Sequence, residues 1–369
     1  MYSIYSTTQE AWDAMYDAIE QAQKSVYWEV YIFIDDDIGK RFFDLLEKKA
    51  SQGIDVKLII DSWGSFGISK KRVATLKAAG VDLQMFSERK HKYRGIFKQL
   101  VSRTHRKILV VDGNIGFVGG VNVDKRFADW LDVHIRVRGE AVRSLSRSFA
   151  KMYVLSGGDR SKVSHLLKYK YRIRKKLQEI EWIFDHGNIE KSQAHKKYIE
   201  ALYKARERVI LFSPYYFPDK KLLYALWQAK KRGVRVDLLI PFRTDLRVAT
   251  YAAYAWFSIM KRLGVDVRLT KKMMHGKGVV VDDEWAMVGS SNLEFGSFRD
   301  YYEANVRIRE KAFVKKLKEK LEEWIADSQS LDDVQWSKRG WFHKFQEWIA
   351  VKIYRLWHKS APDNRFDKE

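Results

Sequence analysis

The sequence predicts an α/β chain assembled from two copies of one unit, with helices on the faces of each sheet. Three observations predict it. The pattern His-x-Lys-x-x-x-x-Asp occurs twice, as His105, Lys107, Asp112 and as His275, Lys277, Asp282. The surroundings repeat with it. Asn122 and Asn292 each follow their histidine by 17 residues and Gly119 and Gly289 by 14, while Asp132 follows by 27 and Glu303 by 28. Helical and strand-like runs also alternate in one order in both halves, the pattern of a sheet covered by helices and of an internal duplication.

The elements follow in sequence. A short apolar run (Val26–Ile34; Val209–Phe212) precedes a helical stretch (Ile38–Gln52; Lys220–Arg232). Gly53 or Gly233 leads into a β-rich run, DVKLIID or RVDLLIP. A second helical stretch ends at Gly80 or Gly264, and a strand follows, VDLQMF or VDVRLT. The motif strand comes next (KILVVD; KGVVVD), then a hairpin partner (IGFVGG; WAMVGS). Only four prolines interrupt the chain, so few breakers compete with these elements. The expected organisation is a first half over 1–155, a basic connector over 156–195, a second half over 196–331 and a basic amphipathic tail over 332–369.

Two segments stand outside the repeat. Between Arg160 and Lys176 the connector carries eight Lys/Arg and no acid, which reads as a basic helix, either solvated or touching anionic headgroups. In Trp336–Lys359, Trp341, Phe342, Phe345, Trp348, Ile349, Ile353, Leu356 and Trp357 recur at helical spacing among lysines and arginines. A basic, Trp-rich amphipathic helix suits a membrane interface, with Trp341, Phe342, Phe345, Trp348 and Trp357 as the contacts; the alternative packs that stripe on the protein body.

Composition narrows the chemistry. Cysteine is absent, which excludes disulfides, thiolate nucleophiles and Cys-ligated metals. The net charge of +22 recruits polyanions, either nucleic acid or anionic lipid, and 13 Trp with 19 Tyr tilt the choice toward a membrane interface. No uncharged apolar run reaches the roughly 20 residues of a spanning helix, and the N-terminus lacks a basic leader. The expectation is a protein that lies on a membrane rather than across it.

Two histidines and two lysines brought together make a phosphoryl-transfer site that needs no metal and no cofactor. On an extended strand residues i and i+2 share a face, so His105 projects with Lys107 and His275 with Lys277. The lysines supply charge for the phosphate oxygens, and Asn122 and Asn292 can add amide donors. One histidine attacks phosphorus and the other carries the proton. Asp132 and Glu303, each at matched spacing from the histidine of its own half, are candidates to fix the imidazoles. Asp112 and Asp282 complete the motif and are counted with the catalytic set, although they sit beside a turn, a position better suited to local hydrogen bonding than to proton transfer.

At these residues the chain resembles the phospholipase D superfamily, and most closely its bacterial cardiolipin synthase branch. THRKILVVDGNIGFVGGVN, MMHGKGVVVDDEWAMVGSSNLEFGSF and YYEANVRI carry the resemblance, with SPYYFPD in support, over roughly Val26–Trp324. It implies two phospholipase D-like α/β/α sandwich halves with the active site at their interface. It also implies His105 as nucleophile and His275 as general acid and base. The implied reaction is transfer of a phosphatidyl group from one phosphatidylglycerol to another, releasing glycerol, on the cytoplasmic face of a bacterial membrane. One chain would suffice for one site, and no nucleic-acid partner is expected. Many members of that branch begin with two spanning helices; none is visible here, which shifts weight to the C-terminal amphipathic segment. The rivals are a phospholipase D-type hydrolase, a phosphodiesterase or nuclease on the same scaffold, and a membrane-binding protein with an idle site.

Overall fold

The computed structural model describes residues 2–86, 103–168, 179–334 and 336–357. The first half is one seven-stranded sheet: β1 (Tyr2–Thr7), β2 (Ser25–Val30), β3 (Asp55–Asp61), β4 (Asp82–Phe86), β5 (Ile108–Val111), β6 (Ile115–Gly119) and β7 (Leu131–Arg138). The second half contains β8 (Ile180–His186), β9 (Arg208–Phe212), β10 (Tyr216–Phe217), β11 (Arg235–Pro241), β12 (Asp266–Thr270), β13 (Gly278–Val281), β14 (Trp285–Gly289), β15 (Leu293–Glu294), β16 (Tyr302–Ile308) and β17 (Gln329–Ser330). Strand order is β4-β3-β2-β5-β6-β7-β1 in one sheet and β12-β11-β9-β13-β14-β16-β8 in the other, with β17 added outside β12. The small β10–β15 pair stands apart. The duplication inferred from spacing is therefore a duplication of topology.

One boundary moves. β8 is the counterpart of β1, since each closes its sheet antiparallel to the strand that carries the carboxylate, β16 or β7. The second half thus begins near residue 180, inside the span expected to be a connector. Its residues, IEWIFDH, lack a clean alternation and follow the basic run, so nothing local marks a strand. The basic run itself is described only in part: Arg160–Leu167 forms short helical turns, and 169–178 lie outside the described residues.

Period-two packing divides the core. In β5, Leu109 and Val111 join an outer cluster with the helices Thr8–Glu20 and Asp37–Ser51, while Ile108 and Val110 join an inner one. In β13, Val279 and Val281 pack outward against helices Gln193–Lys204, Lys220–Lys231 and Arg247–Arg262, and Val280 packs inward. The inner cluster is shared: it holds residues of both sheets and of helices Val142–Leu155 and Lys311–Ala326. Burying one core between the halves is what sets the two motifs face to face. Gly119 and Gly289 end their hairpin strands where a Cβ would lie 2.3 Å from the Val133 carbonyl oxygen or 2.4 Å from that of Ala304, so only glycine permits the approach.

Asp112 and Asp282 occupy the turns at the far ends of the motif strands, in left-handed backbone (φ 51° and 47°), which aspartate tolerates. Asp112 accepts the amides of Gln23 (3.0 Å), Lys24 (2.7 Å) and Ser25 (2.9 Å), at the start of β2. Asp282 accepts those of Arg206, Glu207 and Arg208 (2.7–2.9 Å), at the start of β9. A four-residue strand, about 13 Å long, separates each aspartate from its histidine segment. That corrects the placement of these carboxylates within the catalytic set: they staple neighbouring strands together. Asp112→Ala and Asp282→Ala are each expected to lower stability by roughly 2–3 kcal/mol, since three charge-assisted bonds are lost. Activity per folded molecule should hold near wild type, checked by thermal unfolding alongside turnover at low temperature.

The C-terminal helix Trp341–Trp357 divides the two expectations made for it. It lies on helix Arg247–Arg262, with Ala350 and Glu347 buried and Glu347 paired to Arg339 at 2.7 Å. Its aromatic stripe nevertheless faces outward: Trp341 is 78% exposed, Phe342 and Trp348 each 54% and Phe345 48%. The side chain of Trp357 lies outside the described residues.

Candidate active site

The two motif segments are sewn to the opposite halves by reciprocal backbone bonds. The His105 amide donates to the Tyr302 carbonyl (3.0 Å), and the Tyr302 amide donates to that of Arg103 (2.8 Å). Likewise the His275 amide donates to the Leu131 carbonyl (2.6 Å), and the Leu131 amide to that of Met273 (3.0 Å). The equivalence of these pairs defines a pseudo-two-fold axis through the site.

The carboxylates cross that axis. His105 Nδ1 lies 3.0 and 3.1 Å from the two carboxylate oxygens of Glu303, and His275 Nδ1 lies 2.9 Å from Asp132 Oδ2. Spacing within a half paired each histidine with its own carboxylate, and the structure reverses that pairing. Once β7 and β16 run beside the opposite motif, the nearer acid is the other half's. In both cases Nδ1–H donates to the carboxylate, which leaves Nε2 to face the pocket. Glu303 is also bonded by the Ser290 hydroxyl.

Lys107 and Lys277 are fully buried, and each donates its ammonium to the backbone carbonyl of its own motif histidine, at 2.6 Å for Lys107. Burial and the facing Lys277 push the Lys107 ammonium well below the usual lysine range. Burial lowers Lys277 to about 8, against the upward pull of Asp132 and Glu303. Burial, with the lysines' repulsion, also lowers His105 to about 4 and His275 to about 3. Asp132 stays below the usual carboxylate range: burial alone would raise it, but its bond to His275 and the charge of Lys277 outweigh that. The site therefore holds neutral imidazoles beside two buried lysines that repel one another.

The signs set a pH profile. Below about 4 His105 gains a proton and loses its lone pair; above about 8 Lys277 loses its charge. We expect kcat/KM to bend downward above about 8, and Lys277→Arg to carry that alkaline limb upward. An unmoved alkaline limb in that variant would exclude Lys277 as its origin.

Asn122 and Asn292 lie behind the motifs, each with one end of its amide engaged. Asn122 Oδ1 accepts the Ile32 amide (3.1 Å), while Asn292 Nδ2 donates to Glu294 (3.0 Å). Three rings escaped the sequence reading. Tyr31 meets His105 edge-on at 5.0 Å, Tyr301 stands 5.8 Å from His105, and Trp130 stands 5.3 Å from His275. Trp130 and Tyr301 each lie two residues before the crossing carboxylate, a matched spacing that could have marked them. His134 is buried and its Nδ1 accepts the Val121 amide (3.4 Å), a structural role. Among the described residues no cluster of three or more His, Asp or Glu side chains could hold a metal ion.

A duplicated mixed sheet that presents one His-x-Lys segment per copy to a common pocket defines a phospholipase D-like fold. Residues 15–153 and 198–325 match the model described as the cardiolipin synthase, phospholipase D-like domain, and the chain belongs to that family. It is 30% identical over 362 residues to a cardiolipin synthase of Geobacillus thermodenitrificans, covering 96% of this chain and 71% of that protein. It is 32% identical over 350 residues to one from Listeria monocytogenes, covering 92% of this chain and 72% of that protein. Among solved structures, phosphatidylserine synthase of Haemophilus influenzae superposes with a TM-score of 0.74 over 96% of this chain and 93% of that one, at 13% identity. Polyphosphate kinase of Porphyromonas gingivalis superposes at 0.56 over 86% and 46%, at 11% identity, and both share the fold.

Proposed function

We propose that this chain is a phosphatidyltransferase that makes cardiolipin from two molecules of phosphatidylglycerol. The observation that carries the reading is the pair of crossed contacts His105–Glu303 and His275–Asp132 with the buried Lys107 and Lys277 beside them; the family supplies the substrate class. His105 Nε2 attacks the phosphorus of the first phosphatidylglycerol and forms a P–N bond. The P–O bond to the headgroup glycerol breaks, and protonated His275 gives its proton to the departing oxygen. Neutral His275 then takes the proton from a hydroxyl of the second phosphatidylglycerol. That oxygen attacks phosphorus, the P–N bond breaks and His105 is restored. Lys107 and Lys277 neutralise the phosphate oxygens throughout, and a free Asn122 amide N–H can join them. Both histidines come from one chain, so the monomer suffices, and no nucleic acid enters the scheme. The test is incubation with phosphatidylglycerol vesicles. Cardiolipin and glycerol in equal amounts are expected; phosphatidic acid without cardiolipin would make this a hydrolase.

The same reading places the protein on the surface of an anionic membrane, at the cytoplasmic face. No helix among the described residues is long and apolar enough to cross a bilayer. Trp341, Phe342, Phe345 and Trp348 are exposed on one helix that also carries Lys344 and Lys352, the arrangement of an interfacial anchor. Trp63 (65% exposed) and Phe66 (86%), which the sequence reading passed over, add a second exposed apolar site on the loop after β3. Because the C-terminal helix also packs on the body, point changes test it better than deletion. Replacing Trp341, Phe342, Phe345 and Trp348 together by serine should weaken co-sedimentation with phosphatidylglycerol vesicles by roughly 10- to 100-fold or more. The unfolding midpoint should stay near wild type. Undiminished sedimentation would remove this helix from the membrane contact.

A further inference from the structure

The halves are copies, so their differences beside the two histidines are informative. Strand register fixes which positions correspond. Glu29 pairs with Ile108 at the start of the first motif strand, and Phe212 pairs with Gly278 at the start of the second. Asp61 and Pro241 end the parallel neighbours β3 and β11. Thr104 and Arg106 flank His105 as Met274 and Gly276 flank His275. One histidine is therefore bracketed by Glu29, Asp61, Thr104 and Arg106, and the other by Phe212, Pro241, Met274 and Gly276.

The first set is a connected network, and none of its members is more than 2% exposed. Thr104 donates its hydroxyl to Glu29 Oε1 (2.5 Å) and its amide to Asp61 Oδ2 (3.0 Å). Asp61 Oδ1 also accepts the amides of Trp63 and Gly64 (3.0 and 2.9 Å). Arg106 Nη2 stands 3.2 Å from Glu29 Oε2 as an ion pair and donates to Ser148 Oγ (2.9 Å). Both neighbours of His105 are thus tied through side chains to the sheet beneath it. In the second half Phe212 fills the apolar core instead, and a Cβ on Gly276 would already stand 3.0 Å from Val133 Cγ2.

A buried ion pair is seldom more stabilising than an apolar replacement. The second half shows that this fold closes with the apolar set, and the backbone stitching at the two motifs is otherwise the same. Stability therefore does not explain the network. Chemistry distinguishes the two histidines. A nucleophile must reach phosphorus in line, at roughly 3 Å, and a misplacement of about 1 Å can cost on the order of 10²-fold. A proton carrier tolerates more freedom and can act through one water.

We infer that Glu29, Asp61, Thr104 and Arg106 form a clamp of positioning residues that holds His105 for attack on phosphorus, a constraint that His275 does without. The inference rests on His105 being the nucleophile of the proposed reaction.

The test transplants the second half's pair into the first, as Glu29→Phe/Arg106→Gly, and reads two steps separately on phosphatidylglycerol vesicles. Formation of the phosphohistidine, quenched in alkali and mapped to its peptide, is expected to slow by about 100-fold. Breakdown of the intermediate by added glycerol should change by less than about threefold, and the unfolding midpoint should hold. Thr104→Val provides a second route if the double variant does not fold: formation should fall by roughly 10-fold, with Thr104→Ser restoring it. A folded variant of either kind that forms the intermediate at the wild-type rate overturns the clamp, as does equal slowing of formation and breakdown. Wild-type label on His275 instead of His105 overturns it while cardiolipin synthesis stands. Wild type that makes no cardiolipin overturns the proposed function itself.

Discussion

His105→Ala is expected to lower turnover by at least about 10⁴-fold, and no improvement in the leaving group should restore it. The variant loses the Nε2 that the proposed reaction uses to carry the phosphatidyl group. His275→Ala should behave differently. On phosphatidylglycerol it should lose roughly 10²- to 10⁴-fold, the usual worth of acid–base help. On a phosphatidyl ester of p-nitrophenol, whose phenolate departs without a proton, it should release a stoichiometric burst and then stall, because no base activates the alcohol. Burst kinetics with both variants decide the matter. A burst from His105→Ala and none from His275→Ala would reverse the roles.

Glu303→Gln should strike the step that His105 performs, and Asp132→Asn the step that His275 performs, each by roughly 10³- to 10⁴-fold. An amide can stabilise the wrong imidazole tautomer and cannot balance an imidazolium. The crossed contacts at 3.0 and 2.9 Å demand this assignment. The decisive measurement is a pair of double variants. His275→Ala/Asp132→Asn should be little worse than His275→Ala alone, since the carboxylate acts through the ring already removed. His275→Ala/Glu303→Gln should lose the nitrophenol burst as well. Were the pairing within halves instead, these two results would be exchanged.

Much of this architecture was legible because the relevant signals are local. Both motif strands are short, fully apolar runs between turn residues, and Gly53, Gly80, Gly233 and Gly264 end helices in left-handed backbone, with φ between 75° and 96°. Repetition of those signals at fixed spacing revealed the two halves. What escaped was set by contacts between distant segments. Distance along the chain assigned Asp132 to His105, yet β7 runs beside the opposite motif. Asp112 looked like part of the reacting group because the motif includes it, but its carboxylate binds amides some 88 residues away. β8 carries too little alternation to announce itself until β16 provides an edge. The outward face of Trp341–Trp357 depended on which side met helix Arg247–Arg262, and periodicity alone gives two answers.

The exchange of carboxylates across the axis has a consequence for what a half of this chain can do. Neither half holds a histidine with its own orienting acid, so neither is a weakened enzyme in isolation; each is an incomplete one. The arrangement is that of a two-fold dimer written on a single polypeptide. In a true dimer of one unit, symmetry would force both imidazoles into identical surroundings, and either could serve as nucleophile. Joining the units by a peptide linkage lifts that constraint. It allows Glu29 and Arg106 to stand on one side of the axis while Phe212 and Gly276 stand on the other. Covalent fusion thus does more than raise the local concentration of two partners: it lets two copies of the same motif hold different occupations.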